Sequence, residues 1–126
     1  MTATLGTAAT TETDAVLRYY ELVDAGDVSG LVSMFTPEAT YCRPGYEPMV
    51  GHAALERFYG GERVIRSGKH TVTTVVAHGE QVAVNGEFDG ELRDGRAVHL
   101  RFADFYLMSG DGRFSRRETF FFAPLV

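Results

Sequence analysis

The apolar pattern changes its period after Gly68, and this change constrains the fold more than any other feature. From there on, apolar and polar residues alternate in four segments, which read "HTVTTVVAH", "QVAVNGEFDGEL", "AVHLRFADFYLM" and "RFSRRETFFFA". The intervening "GE", "RDG" and "GDG" are typical of β-hairpin turns. Because alternation with a period of two indicates strands, the second half of the chain is predicted to form an antiparallel meander.

The first half of the chain has helical spacing instead. A helix is predicted from Thr13 to Gly26, because apolar residues recur there at three- and four-residue intervals. A second helix is predicted from about Asp27 and is expected to close at Pro37, and a third is predicted from about His52, with Val64 and Ile65 as an extension. "EATYCR" indicates a short strand between them, so the fold class is α+β, with a curved sheet over a helical layer.

Length and composition define a single domain. Residues 13–126 are expected to form it, preceded by a flexible tail over residues 1–12. The formal net charge of -5 argues against nucleic acid as the main partner. The single cysteine, Cys42, excludes an internal disulfide. Neither a signal peptide nor a membrane span is indicated, so a cytoplasmic protein without a membrane partner is expected.

One carboxylate interrupts the most apolar strand. Alternation places Asp104 on the same face as Leu100, Phe102, Tyr106 and Met108. If this face is the core, the carboxylate must find hydrogen-bond donors, become protonated or destabilise the fold. A backbone amide or an arginine would satisfy it structurally, whereas a perturbed buried acid is also typical of active sites.

The end of the last strand carries apolar residues on both faces. "FFF" at residues 120–122 places phenylalanine on both sides of the sheet. A sheet buried on both sides in so small a chain suggests that a second subunit covers one face. We therefore expect a homodimer.

Several segments of this chain resemble a known family. "RYYELVDAGD", "LVSMF", "EATYCRP" and "ALERFY" occur in an order and at spacings that are similar to those of the ketosteroid isomerase group. This group belongs to the nuclear transport factor 2-like superfamily, with the SnoaL-like polyketide cyclases and the limonene-type epoxide hydrolases. The resemblance extends from about Leu17 to Phe122, and it implies a cone-shaped barrel that encloses one apolar pocket.

The resemblance also implies roles for individual residues. Tyr19 stands where the isomerases have an oxyanion-hole tyrosine, and Asp104 stands where they have a protonated aspartate that donates to the oxyanion. Tyr59 matches a tyrosine that supports Tyr19, and Phe121 matches an aromatic residue of the pocket. Arg43 replaces the aspartate that serves as the family's general base, and an arginine cannot be deprotonated in a protein.

The epoxide hydrolases resemble the same region in part. Tyr41 is retained from their water-holding Tyr-x-Asn motif, their Arg-x-Asp pair falls on Glu87 and Asp89, and their last-strand aspartate falls near Thr119. A charge swap would follow, with Arg43 facing Glu87 across the pocket. Ordinary alternation instead sends Glu87 and Asp89 to solvent, together with Asn85 and Glu91.

The remaining charged residues indicate no further site. Arg116, Arg117 and Glu118 are interpreted as a solvated or interfacial cluster. His52, His78 and His99 lack the spacing of metal ligands, so no metal and no cofactor are expected.

These observations predict a cofactor-independent acid–base enzyme that acts on a hydrophobic small molecule of polyketide or terpenoid type. The expected reaction is isomerisation or cyclisation through an enolate, with Tyr19 and Asp104 as oxyanion donors and Arg43 orienting a polar substituent. His70, Asp89 and Glu87 are the candidate bases. Epoxide opening activated by Asp89 and Tyr41, and a non-catalytic ligand-binding or dimerisation module, are the alternatives. The residues expected to contact substrate are Tyr41, Phe58, Tyr59, Phe102, Thr119 and Phe121.

Overall fold

Three α-helices and a six-stranded sheet make up residues 3–122, the part of the chain described by this computed structural model, with side chains described from residue 11. The helices are α1 (Ala3–Ala25), α2 (Val28–Ser33) and α3 (His52–Arg57), and α3 continues into a π-helical segment, Phe58–Glu62. The strands are β1 (Phe35–Cys42), β2 (Met49–Val50), β3 (Ile65–His78), β4 (Gln81–Leu92), β5 (Ala97–Met108) and β6 (Phe114–Phe122).

The strands form one mixed sheet in the order β2-β1-β6-β5-β4-β3. Strands β3 to β6 pair antiparallel as consecutive hairpins, whereas β1 pairs parallel to β6 and antiparallel to β2. The sheet curls around the helices without closing, and α1 packs against β3. The structure thus confirms the predicted α+β fold, with three helices on a curved and mainly antiparallel sheet.

Alternation along each strand gives the sheet two different faces. The inner face carries the buried residues of β4 and β5 and packs against the helices; its core members include Val82, Val84, Phe88, Phe102, Asp104, Tyr106 and Met108. Removal of one such apolar side chain from water stabilises the fold by about 1.5–3 kcal/mol. The outer face carries the alternate residues, which are half-buried or exposed.

Helix α1 begins at Ala3, about ten residues before the start expected at Thr13. The amphipathic stripe that signalled the helix begins only at Val16, and the preceding small and polar residues give no such signal. The flexible tail expected over residues 1–12 stays a prediction, and residues 1 and 2 lie outside the described part. At the other end, Gly26 adopts φ 73° and ends the helix as expected.

Two expected helix boundaries were wrong. Helix α2 begins after Asp27, whose carboxylate accepts a hydrogen bond from the Gly30 amide at 2.9 Å, but it ends at Ser33 rather than at Pro37. Pro37 lies within β1, where it has no N–H to donate and where the pairing with β6 is irregular between Phe35 and Thr40. Val64 and Ile65 do not extend the third helix; Ile65 begins β3.

Most of the space between the helices and the sheet is filled by aromatic side chains. Tyr19, Phe35, Tyr41 and Phe114 are each 0% exposed. Two open grooves, of about 510 and 390 Å³, lie instead on the outer face. Among the described residues, no helix is both long enough and apolar enough to cross a membrane.

Candidate active site

Asp104 is the centre of a buried hydrogen-bond network on the inner face. Its Oδ2 accepts from the Tyr20 hydroxyl at 2.5 Å and from Arg117 Nη2 at 2.8 Å, and its Oδ1 accepts from the Thr119 hydroxyl. The side chain is 0% exposed. In these three contacts the carboxyl oxygens of Asp104 accept, from one arginine and from two hydroxyls. The contacts therefore favour an acceptor role over the neutral donor role implied by the resemblance.

A second branch of the network joins Arg117 to two tyrosines. Arg117 Nη1 donates to the hydroxyls of Tyr19 and Tyr59, each at 2.9 Å, and these two hydroxyls lie 2.5 Å apart. Tyr19 is fully buried, whereas Tyr59 is half-buried. The expected support of Tyr19 by Tyr59 is therefore present in the geometry, with Tyr59 at the outer end.

A third branch runs from Arg43 to Asp104. Arg43 Nη1 donates to the Tyr41 hydroxyl at 3.0 Å, Tyr41 lies 2.9 Å from the Thr119 hydroxyl, and Thr119 donates to Asp104. Because the Thr119 proton is used on Asp104, Tyr41 donates to Thr119. Every proton in this branch thus points towards the carboxylate. Tyr41 and Thr119, expected to contact substrate, are both buried within the network.

Tyr19, Tyr20 and Tyr41 stay protonated. Burial raises the pKa of Tyr19 and of Tyr41, although the positive charge of Arg117 opposes this effect at both. Burial and the charge of Asp104 raise the pKa of Tyr20. These hydroxyls are consequently hydrogen-bond donors rather than proton acceptors near neutral pH.

His70 forms a pair with Asp24 at the edge of this network. Its backbone N–H donates to Asp24 Oδ2 at 2.9 Å, and its ring Nδ1 lies 2.6 Å from Asp24 Oδ1. A carboxylate can only accept, so Nδ1 carries the proton and Nε2 keeps its lone pair. Burial lowers the pKa of His70, although Asp24 opposes this shift. The ring is therefore neutral at pH 7 and able to accept a proton.

The other two candidate bases lie on the outer face. Glu87 and Asp89 bind the exposed ring of His99, with Glu87 Oε1 3.1 Å from Nε2 and Asp89 Oδ1 2.6 Å from Nδ1. Their side chains are 45% and 67% exposed. Strand alternation, rather than the family resemblance, decides their orientation here. Asp89 and Tyr41, named together as activators in the epoxide-opening alternative, therefore lie on opposite faces of the sheet, with Asp89 exposed and Tyr41 buried.

The predicted charge swap between Arg43 and Glu87 was also wrong. The two residues lie on opposite faces of the sheet, and the salt bridges of the described residues place Glu87 on His99. The Arg43 guanidinium lies over three aromatic rings, 5.1 Å from that of Phe121, 5.4 Å from that of Phe58 and 6.0 Å from that of Tyr46. Cation–π contacts of this kind stabilise an arginine that has no carboxylate beside it among the side chains that the structure describes.

Phe102 and Phe121 connect His70 to Arg43. They are cross-strand partners on β5 and β6, and the Phe102 ring lies 5.4 Å from that of His70. Phe121 and Leu100 are half-buried, which marks this part of the inner face as its more open end. His70 and Arg43 thus stand on either side of an apolar surface formed by Phe102, Phe121 and Leu100, which we call the inner platform.

Three residues of the site were missed by the sequence analysis: Tyr20, Asp24 and Arg117. Arg117 was interpreted as part of a solvated cluster, yet it is 3% exposed, whereas its neighbours Arg116 and Glu118 are on the outer face. The signal that could have found it is register. Pairing through the "GDG" turn places Arg117 beside Tyr106 and Thr119 beside Asp104, all on one face. Among the described residues, no group of three or more His, Cys, Asp or Glu side chains could hold a metal ion.

Comparison with known proteins places this architecture in an established class. A solved structure of SalBIII, described as an epoxide hydrolase/cyclase-like enzyme in pyran ring formation in the polyether salinomycin, superposes with a TM-score of 0.80; it is 21% identical and the match covers 90% of this chain and 92% of that one. TerC co-crystallised with polyporic acid gives 0.78 at 22% identity, covering 89% and 92%. A polyketide cyclase, described as putative, from Xanthomonas campestris pv. campestris gives 0.79 at 18% identity, covering 88% and 90%.

At these identities the likeness shows the fold alone, and that fold is the cone of the NTF2-like superfamily. Within the superfamily, the model of the SnoaL-like domain matches residues 16–117, which is most of the chain. The chain belongs to the SnoaL-like family.

Proposed function

We propose that this protein is a cofactor-independent acid–base enzyme that isomerises or cyclises a hydrophobic small molecule of polyketide or terpenoid type through an enolate. The observation that carries the proposal is the Asp24–His70 pair, because it supplies a neutral imidazole held in one tautomer beside an apolar surface. Of the three candidate bases, His70 alone faces the interior, since Glu87 and Asp89 are on the outer face.

In this mechanism the substrate lies on the inner platform. His70 Nε2 takes a proton from the carbon next to a carbonyl group, and Asp24 stabilises the imidazolium that forms. The electron pair of the broken C–H bond moves onto the carbonyl oxygen. His70 then returns the proton to another carbon in an isomerisation, or to an oxygen after ring closure in a cyclisation.

Arg43 is the proposed partner of the developing oxyanion. Its guanidinium lies 5.1 Å from the ring of Phe121, at the opposite side of the platform from His70, and its Nε has no hydrogen-bond partner among the described residues. A donor placed before the reaction at the developing charge stabilises the transition state by a few kcal/mol. Tyr41 positions this arginine by accepting from its Nη1.

Asp104 and Tyr19 take indirect roles in the proposal. Asp104 already accepts from Tyr20, Arg117 and Thr119, so it holds donors in place rather than donating itself. Tyr19 is enclosed, and its hydroxyl is engaged by Arg117 and Tyr59. In this proposal Asp104 and Tyr19 are positioning residues: they hold in place the buried aromatic side chains that pack beneath the inner platform.

The test is proton exchange next to a carbonyl group. The protein is incubated in deuterium oxide with a panel of apolar β-diketones and enones, and deuterium incorporation is followed by NMR. We expect exchange catalysed by the parent, with loss of at least about 100-fold on His70→Asn, the lower range for one acid–base group. The control is His78→Asn, an exposed histidine at the far end of β3, which should exchange like the parent.

Three outcomes would contradict the proposal. Equal exchange by the parent and by His70→Asn would remove the histidine from the reaction. Incorporation of oxygen-18 from water into the product of an epoxide, without α-proton exchange, would favour the epoxide-opening alternative. Binding of the panel without any turnover would favour a ligand-binding module.

We also propose that the outer face pairs with a second copy of this chain. The groove of about 510 Å³ there is bordered by Phe105, Phe120 and Phe122, which are 49%, 48% and 68% exposed. Arg116 and Glu118 lie beside it and carry opposite charges. In a two-fold pairing the same patch meets itself, so each subunit can supply both signs of charge to the other.

A further inference from the structure

Arg63 carries a buried positive charge for which the described side chains supply no carboxylate. It is 9% exposed, and its Nε has no hydrogen-bond partner among residues 11–122. Two other arginines are matched by carboxylates: Arg66 lies 3.3 Å from Glu91, and Arg117 lies 2.8 Å from Asp104. An ionised group buried without a counter-charge is among the most costly features that a small domain can carry. A bound anion would remove this cost.

A small cleft leads to this guanidinium. It lies between α1, α2 and the start of β3, has a volume of about 80 Å³, and is lined by apolar residues together with Tyr59, Arg63, Arg66 and Arg93. No acidic residue lines it. The Arg66 side chain is engaged by Glu91, and Arg93 Nε donates to the backbone oxygen of Arg63 at 2.8 Å. Arg63 is the buried cation of this cleft, whereas Arg66 and Arg93 are exposed, and it is the one of the three with a buried Nε that has no hydrogen-bond partner among the described residues.

The surroundings hold Arg63 in place and add to its positive potential. Its guanidinium carbon lies 5.4 Å from the centre of the Tyr59 ring, within the range of a cation–π contact. Burial lowers the pKa of Arg63, and the positive charge of Arg43 contributes in the same direction. An anion near Arg63 would relieve both effects.

We propose that this cleft is a carboxylate-binding site, in which Arg63 pairs with the carboxylate of an organic acid. The planar guanidinium fork matches a carboxylate through two parallel hydrogen bonds. A volume of about 80 Å³ accommodates a small charged group rather than a whole polyketide. The apolar walls favour an acid with an apolar remainder, and the Arg66 and Arg93 charges attract it from solvent.

The site is distinct from the Asp24–His70 pair, so either proposal can fail alone. The cleft opens beside α1 and α2, whereas the proposed reaction takes place on the inner platform between His70 and Arg43. A carboxylate in the cleft belongs either to a second ligand or to a part of the substrate that extends past Tyr59. Both sources share the same chemistry at Arg63.

The first experiment compares matched probes on the parent protein. Hexanoate, acetate, hexanamide and sulfate are titrated at constant ionic strength, and binding is followed by the 15N NMR signals of the arginine Nε–H groups and by thermal unfolding. We expect hexanoate to bind and to raise Tm, acetate to bind more weakly, and the uncharged hexanamide to have no effect. Equal effects of hexanoate and hexanamide, or an effect of sulfate alone, would overturn the proposal.

The second experiment locates the site. Arg63→Gln is expected to weaken hexanoate binding by about 10-fold or more, the loss typical of removing one charge-assisted partner. The same variant should raise Tm without ligand, because it removes an unpaired buried charge. Arg66→Gln, the matched control at the rim, should bind within about 3-fold of the parent. Hexanoate binding that survives Arg63→Gln would contradict the assignment. Arg63→Lys keeps the charge and serves as the control for a folding defect.

If exchange activity also requires a carboxylate on the substrate, the two sites bind one molecule. This is measured by comparing the exchange of a β-diketone with that of its carboxylated analogue. A lower KM for the carboxylated compound in the parent, lost in Arg63→Gln, places the acid and the reacting ketone on one substrate. Equal KM values, together with intact hexanoate binding, place a separate ligand in the cleft.

Discussion

Asp24 and His70 contact each other twice, once through the backbone N–H of His70 at 2.9 Å and once through its ring at 2.6 Å. The two contacts use both oxygens of one carboxylate. They join the last turn of α1 to the middle of β3, which are 46 residues apart in the chain. The imidazole is consequently held against the rings of Tyr20 and Phe88, 4.9 and 4.8 Å away.

This geometry predicts a pH profile for exchange. Because burial lowers the pKa of His70 below the ordinary histidine value of 6.5, the catalytic rate should rise with pH through that lowered pKa and be constant above it. Asp24→Asn removes the charge that stabilises the imidazolium, so we expect the plateau to fall about 10–100-fold. Rates measured between pH 4 and 9 test both points, and a profile with no acidic limb would contradict them.

The same histidine affects stability, and the sign follows from proton linkage. Between the lowered folded pKa and 6.5, the unfolded chain binds more protons at this position than the folded one. Stability should therefore rise with pH through this window and fall as the pH is lowered. In urea unfolding, His70→Asn should flatten this dependence and exposed His78→Asn should preserve it; the reverse pattern would contradict the linkage.

Removal of the Asp104 carboxylate should destabilise the protein. In Asp104→Ala the buried guanidinium of Arg117 loses its counter-charge, a loss of about 3–5 kcal/mol when one member of a buried pair is removed. The free energy of unfolding from urea titration measures this. Asp89→Asn, at an exposed carboxylate of β4, should change it by less than about 1 kcal/mol. A more stable Asp104→Ala variant would mean that the carboxylate is a functional burden rather than a structural partner.

Gly86 should not tolerate a methyl group. A Cβ there would lie 2.6 Å from the backbone oxygen of Thr71 and 2.8 Å from Cζ of Phe102. Relief of the first contact would require the backbone of β3 to move. Gly86→Ala is expected to cost about 1–3 kcal/mol by overpacking. Gly60→Ala is the control, since a Cβ at that position meets nothing within 4 Å. Equal thermal stabilities of the two variants would show that the sheet adapts at Gly86.

The outer face gives a prediction about assembly. The parent is expected to have the mass of a dimer in light scattering, because Phe105 and Phe120 are exposed side by side with ring centres 5.7 Å apart. Phe105→Glu combined with Phe120→Glu should yield a folded monomer. Val50→Glu, at an even more exposed apolar residue on β2, should leave the dimer intact. A monomeric parent would contradict the pairing.

Sequence periodicity predicted the sheet better than it predicted the site. The bounds of β4 and β5 agree with the alternating segments residue for residue, since hairpin turns and alternation are local signals. The resemblance to ketosteroid isomerases pointed to Tyr19, Tyr59 and Asp104, which lie in one hydrogen-bond network. Their contacts depend on Arg117, whose face could be read only from the register of β6, so the acceptor role of Asp104 was not predictable. Asp24 and His70 are likewise paired by the packing of α1 on β3, which no local pattern reveals.

The buried network around Asp104 and the half-buried residues at the open end of the inner face differ in how much substitution they tolerate. The network of Asp104, Arg117 and the buried tyrosines holds the sheet to α1, and its enclosed side chains tolerate little substitution. Arg43, Phe121 and Leu100 are half-buried and make few contacts with that network, among them the hydrogen bond from Arg43 to Tyr41. A library intended to change substrate preference should therefore randomise the second group and keep the first constant, so that new specificities arise on an unaltered scaffold.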